Sequence, residues 1–309
     1  MRTLIVGTGA VGGFFGALLA RAGRDVVFLA RGANLAALRE RGLTVESVDG
    51  DFHLAPVQAT DTLADIAPFE LVLVSVKSYD TAAVAAEIRP AVTPDTIVLS
   101  LQNGVDNESL LARLLGLPPL LGAMTQVGAE LVAPGVVRHV AEGTIFFGEA
   151  SGDESPRAHR LRELFTAAGI RHHLTSDIER MLWDKLAWNA AHNAVTALTR
   201  TTAGDAARIA ATAAVLRDAM LEVIAVARAQ GIMLEAERIE PILAFSRERL
   251  GALRTSMLQD LERGRRLEHE ALNGAVLRFG EAAGVPTPVN RTLYGLLVAL
   301  DPARTTARP

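Results

Sequence analysis

A chain of 309 residues that is 50% hydrophobic and carries a net charge of only −4 can fill two hydrophobic cores, and it has no basic field to draw it to nucleic acid or a membrane surface. It contains no cysteine, which removes disulfides, thiol nucleophiles and thiolate zinc sites. Its 7 histidines show no H-E-x-x-H spacing, which argues against a zinc hydrolase.

Arg2 to Val6 reads as a short apolar strand, Gly7-Thr8-Gly9-Ala10-Val11-Gly12 fits G-x-G-x-x-G, and Val26 to Ala30 reads as a second strand ending at Arg31. Phe14, Phe15, Leu18 and Leu19 mark a helix between them, closed by Gly23. Gly7 permits a sharp turn off the strand, Gly9 leaves bare backbone for a pyrophosphate, and Gly12 allows the helix to pack closely. With Ala10 and Val11 they form a dinucleotide cradle at a helix start that offers N–H groups to phosphate. These glycines speak against a signal peptide, and no apolar run reaches the roughly 18 residues needed to span a bilayer. A soluble, cytoplasmic protein is expected. NAD sites place an acid after the second strand to bind the ribose 2′-hydroxyl, whereas an arginine accommodates a 2′-phosphate. Arg31 therefore points to NADPH, with a solvated loop arginine as the plain alternative.

Asn34 to Arg41 is predicted as a helix closed by Gly42, and Leu43 to Ser47 and Phe52 to Leu54 as a hairpin around Asp49-Gly50 that decorates the nucleotide domain. Leu71 to Val76 is a nearly continuous β-branched run, as in a strand covered on both faces, and ends at Lys77. A helix over Thr81 to Ile88 leads to a similar strand, Thr96 to Leu101, which ends at Gln102-Asn103-Gly104. Gly7, Arg31, Lys77 and Asn103 thus each follow a parallel strand, and the ligand crevice of an open α/β sheet lies outside those ends. Alone, Lys77 is a solvated lysine and Asn103-Gly104 an ordinary turn; with the cradle they read as ligand contacts. Gly122 to Gly148 suggests antiparallel strands extending the sheet, Ser155 to Ala168 an amphipathic helix, and Ile170 to Leu174 a last strand. The expected fold is α/β: a Rossmann-type doubly wound sheet over residues 1–174, followed by an all-helical domain over 175–309.

Helices are predicted at Met181 to Leu198, Asp205 to Gln230, Pro241 to Leu253 and Leu267 to Ala283. In the first, Lys185, Asn189 and Asn193 recur at every fourth position, which places them on one face amid apolar neighbours. A buried lysine with two carboxamides needs a partner, and a ligand is a natural one; a solvated polar stripe is the alternative. Ser256 suits the N-cap of a short helix ended by Gly264, and Glu268 the first turn of the next. Such a serine-capped helix start can hold a carboxylate, yet a cap and a dipole-complementing acid explain the same residues. The long helices could pair in a homodimer or be consumed by an internal core.

Together with Val76-Lys77, Gln102-Asn103-Gly104, Ser256-Met257-Leu258-Gln259-Asp260 and Glu268 with Asn273-Gly274, these residues resemble the ketopantoate reductases (2-dehydropantoate 2-reductases) through nearly the whole chain. The resemblance implies NADPH-dependent reduction of 2-dehydropantoate, a small 2-oxo acid, to (R)-pantoate, which feeds pantothenate and coenzyme A. It implies Lys185 as general acid, Glu268 assisting at the substrate hydroxyl and touching the cofactor, and Asn189, Asn193 and Ser256 positioning the substrate. Asn103 would meet substrate and cofactor at the nicotinamide end of a cleft between the domains, and Arg31 and Lys77 would serve NADPH. The chemistry is sound: reducing a ketone builds negative charge on oxygen, which an ammonium can stabilise and protonate. Partial burial would lower the lysine pKa toward the working range. Two positions depart from the family pattern, Ala203-Gly204 where it often has Asn-Gly and Leu267 where it usually has Thr. The first puts the identity of the 2-oxo acid in question. The rival readings are a paralogous reductase of another 2-oxo acid and a non-catalytic NADP-sensing protein.

Overall fold

The structure, a computed structural model, describes residues 1–64 and 68–306. The chain forms two compact units: Met1–Gln102 with Asp106–Ile178, and Asn103–Val105 with the chain from Glu179 onward.

The first unit runs β1 (Thr3–Val6), α1 (Ala10–Arg21), β2 (Val26–Leu29), α2 (Gly32–Arg41), β3 (Leu43–Ser47), β4 (Phe52–Leu54), β5 (Gln58–Thr60), β6 (Leu71–Val74), α3 (Thr81–Ile88), β7 (Ile97–Ser100), α4 (Asn107–Leu115), β8 (Gly122–Ala133), β9 (Val136–Gly148), α5 (Pro156–Ala167) and β10 (Arg171–Leu174). Five strands form a parallel sheet in the order β5-β2-β1-β6-β7. Alternate residues point to opposite faces: Leu4, Val6, Val72 and Val74 pack with Val84 and Ile88 of α3, while Ile5, Phe28, Leu71 and Leu73 pack with Phe15 and Leu19 of α1. Both faces are covered, so the central strands are apolar throughout. The strand order reverses between β1 and β6, and this switch point opens a crevice beyond Val6 and Val74.

The segment Gly122 to Gly148 does not extend the parallel sheet, and the Leu43–Leu54 hairpin is no decoration. They build a second sheet, β10-β9-β3-β4, with β8 antiparallel along β9. Helix α1 lies between the sheets, its Phe14, Phe15 and Leu18 sharing one core with Val137, Ile145 and Phe147. Small residues are needed on both of its faces: a Cβ on Gly16 would fall 2.6 Å from the Phe28 ring, and one on Gly13 would fall 2.8 Å from Val137 Cγ2. Strand β5 is a short Gln-Ala-Thr edge with no apolar run to announce it, and β6 stops at Val74, short of Val76.

The second unit comprises α6 (Ile178–Thr199), α7 (Ala203–Arg208), α8 (Ala210–Ala229), α9 (Ile239–Arg249), α10 (Ser256–Glu262), a π-helical turn at Glu270–Gly274, α11 (Ala275–Ala283), α12 (Pro288–Leu300) and α13 (Ala303–Thr306). Ala187, Ala190, Ala191 and Ala194 of α6 are 0–3% exposed, since small side chains let neighbouring helices close around it. The helix expected over Asp205 to Gln230 is two, broken at Ile209 (φ −74°, ψ 118°). The helix expected from Leu267 starts later, with the π turn. Among the described residues, no helix is long and apolar enough to cross a membrane.

Candidate active site

At the crevice the glycines divide by what surrounds them. Gly7 has φ +89° and a Cβ there would lie 2.7 Å from Val76 N; a Cβ on Gly12 would lie 2.1 Å from Ser75 Oγ and 2.4 Å from Gly7 O. Those two are required by the protein itself. A Cβ on Gly9 would meet nothing within 4 Å, so its bare backbone faces open space that suits a pyrophosphate. Ala10 and Val11 form the first turn of α1, whose N-terminus has no side-chain cap, leaving N–H groups and the positive dipole end for an anion.

The cradle is braced by polar residues to which the sequence reading assigned no role. Ser75 Oγ lies 2.8 Å from Gly7 O, and Asn34 Nδ2 donates to Thr8 O at 2.7 Å while its Oδ1 accepts from Gly135 N at 2.8 Å. Gln102 Nε2 reaches Val76 O at 3.0 Å and Thr81 Oγ1 at 2.9 Å, fixing the Ser75–Lys77 loop from the end of β7. Lys77 then precedes a 3₁₀ turn, Ser78–Asp80. Arg31 sits where β2 hands over to α2, its side chain 73% exposed and its Nη2 2.5 Å from Glu87 Oε2 of α3. Asn103 opens the three-residue segment that belongs to the second unit.

In that unit Lys185, Asn189 and Asn193 lie on successive turns of α6, and the stripe is not solvated: Asn189 is 7% and Asn193 2% exposed. Asn193 Oδ1 is buried with no hydrogen-bond partner in the protein. Burial pushes the Lys185 ammonium down to about 8 from 10.5, and the opposing charge of Glu268 offsets part of that shift. Glu268 is itself buried and precedes the π turn, so it does not fall in the first turn of a helix as expected. His192 of the same helix stacks on Trp188, and burial holds its pKa down at about 4, so it stays neutral near pH 7.

Two braces set these groups. Asp301 accepts from Leu267 N at 3.4 Å and pairs with His269 Nε2 at 3.0 Å, clamping the backbone on either side of Glu268. Asn273 Nδ2 donates to Ala190 O of α6 at 2.9 Å and lies 3.0 Å from Asn290 Oδ1, and Asn290 is gripped in turn by Glu222 of α8. Thus the π turn that follows Glu268 is tied to the helix that carries Lys185. Ser256 is not the cap expected of it: Thr255 Oγ1 accepts from Leu258 N, and Ser256 is an exposed first-turn residue of α10. Thr255 Oγ1 also meets Thr196 Oγ1 at 2.7 Å, setting the start of α10 against α6. Of the two departures, Leu267 is 1% exposed and part of the core, and Ala203 is fully buried at the start of α7.

A tunable ammonium beside a carboxylate and two carboxamides can donate a proton to a developing alkoxide and hold an anionic substrate. The profile described as ketopantoate reductase PanE/ApbA matches residues 3–152, and that described as its C-terminal domain matches residues 177–301. The chain is 37% identical to the 2-dehydropantoate 2-reductase of Archaeoglobus fulgidus, covering 97% of this chain and 98% of that protein. The crystal structure of a PanE/ApbA family ketopantoate reductase from Ralstonia eutropha superposes with a TM-score of 0.91 at 35% identity, covering 99% of this chain and 100% of that one. A D-mandelate dehydrogenase solved with NADH and anilino(oxo)acetate shares the fold, with a TM-score of 0.90 at 21% identity over 99% and 100% of the two chains. Cradle, lysine helix and full-length similarity agree: the chain belongs to the ketopantoate reductase PanE/ApbA family.

Proposed function

We propose that the protein reduces 2-dehydropantoate to (R)-pantoate with NADPH, serving pantothenate and coenzyme A synthesis. The observation that carries this reading is Lys185, a lysine that burial brings to about pKa 8 beside Glu268 on a stripe of buried carboxamides. Cofactor binding is assigned to residues 1–174 and substrate chemistry to 175–309. Gly7, Gly9, Ala10, Val11 and Gly12 hold the pyrophosphate, Arg31 accommodates the 2′-phosphate and Lys77 supports the same ligand. Bound NADPH would supply the hydride. Lys185 Nζ then gives its proton to the carbonyl oxygen as charge develops there, and Glu268 orients the new hydroxyl. Asn189, Asn193 and Ser256 hold the substrate, with Asn103 at the nicotinamide end.

The test is NADPH oxidation with 2-dehydropantoate beside two other 2-oxo acids, with Lys185→Ala in parallel. We expect 2-dehydropantoate to give the highest kcat/KM and Lys185→Ala to abolish most turnover. A higher kcat/KM for another acid would favour the second reading, a paralogous reductase, for which Ala203, where the family often has asparagine, is the specific support. An Arg31→Ala variant that keeps the wild-type NADPH preference would remove the role given to that residue.

A further inference from the structure

The arginine assigned to the 2′-phosphate is already occupied. Its Nη2 lies 2.5 Å from Glu87 Oε2, and the charge of Asp80 reaches it as well. Glu87 is the better anchored partner, with 20% of its side chain exposed against 73% for Arg31. The guanidinium is therefore a solvent-facing arm whose resting contact is a carboxylate on α3. Two acids, Glu87 in contact and Asp80 at longer range, thus oppose Arg31, which makes poorer ground for a dianion than an unopposed arginine.

We propose that Glu87 is a specificity-determining residue: as the built-in counter-ion of Arg31 it competes with an adenosine 2′-phosphate and so narrows the preference for NADPH over NADH. A 2′-phosphate must share or displace the Glu87 contact and approaches a like charge in doing so. A 2′-hydroxyl does neither. Asp80 adds to the same field from the turn after Lys77. The inference rests on the NADPH reading above and adds the residue that sets its strength.

The experiment is calorimetric titration of NADPH and NADH into the wild type, Glu87→Gln, Glu87→Ala and Arg31→Ala. In Glu87→Gln the Kd for NADPH should fall roughly two- to fivefold, the upper range of an exposed ion pair, while that for NADH moves less than about twofold. Glu87→Ala should reproduce this if the glutamine variant folds poorly, and the NADPH gain should shrink at high salt. Equal changes for both cofactors, no change, or a weaker grip on NADPH would overturn the proposal; the last would mean that Glu87 holds Arg31 ready for phosphate. A cofactor ratio that collapses in Arg31→Ala but stays put in Glu87→Gln defeats the role of Glu87 alone. A ratio indifferent to Arg31→Ala defeats the cofactor assignment as well.

Discussion

The two units present their polar chemistry by opposite means. In the first, the ligand surface is made of missing side chains: Gly9 offers bare backbone, and α1 offers N–H groups with no cap. In the second, long polar side chains are driven into a helical core, with Asn189 and Asn193 buried and Lys185 shifted to about pKa 8. The backbone surface leaves little to desolvate, because the first helix N–H groups are unpaired in any case, and Ser75, Asn34 and Gln102 have only to hold its loops in place. The side-chain surface needs braces, since each buried polar atom without a partner costs about 1–3 kcal/mol. Glu222, Asn290, Asn273 and Asp301 hold the backbone that carries these groups, while Asn193 Oδ1 itself has no partner in the protein.

The sharpest way to break this contrast is Lys185→Ala. Turnover should fall at least about 100-fold, the usual contribution of a general acid, while the Kd for NADPH stays within about twofold. An equal loss of cofactor affinity would show that the two surfaces are not separable. The pH profile sharpens the same point. Lys185 must be protonated to donate, and its pKa is lowered to about 8, so kcat for reduction should decline as pH rises through about 8. A profile flat to pH 10 would assign the acid elsewhere.

Within the backbone surface, Gly9→Ala and Gly12→Ala should part company. The first adds a methyl where no protein atom lies within 4 Å, so Tm should hold while NADPH affinity drops about tenfold. The second collides with Ser75 Oγ and Gly7 O and should cost stability outright, read as a lower Tm without ligand. A Gly9→Ala variant that binds normally would remove the pyrophosphate from that spot. A loss confined to one brace is expected from Asn273→Ala, which strands Asn290 Oδ1 and takes a second donor from Ala190 O: about 1 kcal/mol by denaturant melt, with kcat reduced more than NADPH binding. Unchanged stability would show that the brace carries no weight.

The same contrast explains what could be read from the residues. Glycines at fixed offsets after an apolar strand are a local signal, so the cradle and four of the five strands of the parallel sheet, β1, β2, β6 and β7, were legible. The second sheet was not, because its pairings join Val45 to Val137 and Ile145 to His172, distant segments whose alternation suits any sheet. In the helical unit the spacing of Lys185, Asn189 and Asn193 fixed a shared face, but their burial depends on which helices close around α6. Ser256 looked like a cap because Thr255 beside it is equally suited, and only the bond to Leu258 N separates them. Asn273 and Gln102 stood in the family pattern without a role, since the carbonyls they hold lie far away in sequence. Glu87 gave no signal at all: a surface acid on a helix is ordinary until an arginine is seen to touch it.

The π turn at Glu270–Gly274 has a consequence of its own. Gly274 N–H reaches back five residues to His269 O, so one more residue is wound into this stretch than a regular helix would hold. Deleting one residue there should restore regular pitch and leave α11 in register, because the widened turn already absorbs the roughly 100° that one added residue would otherwise impose. The extra residue thus reshapes the backbone only locally, just after Glu268, and leaves the packing of the following helix unturned.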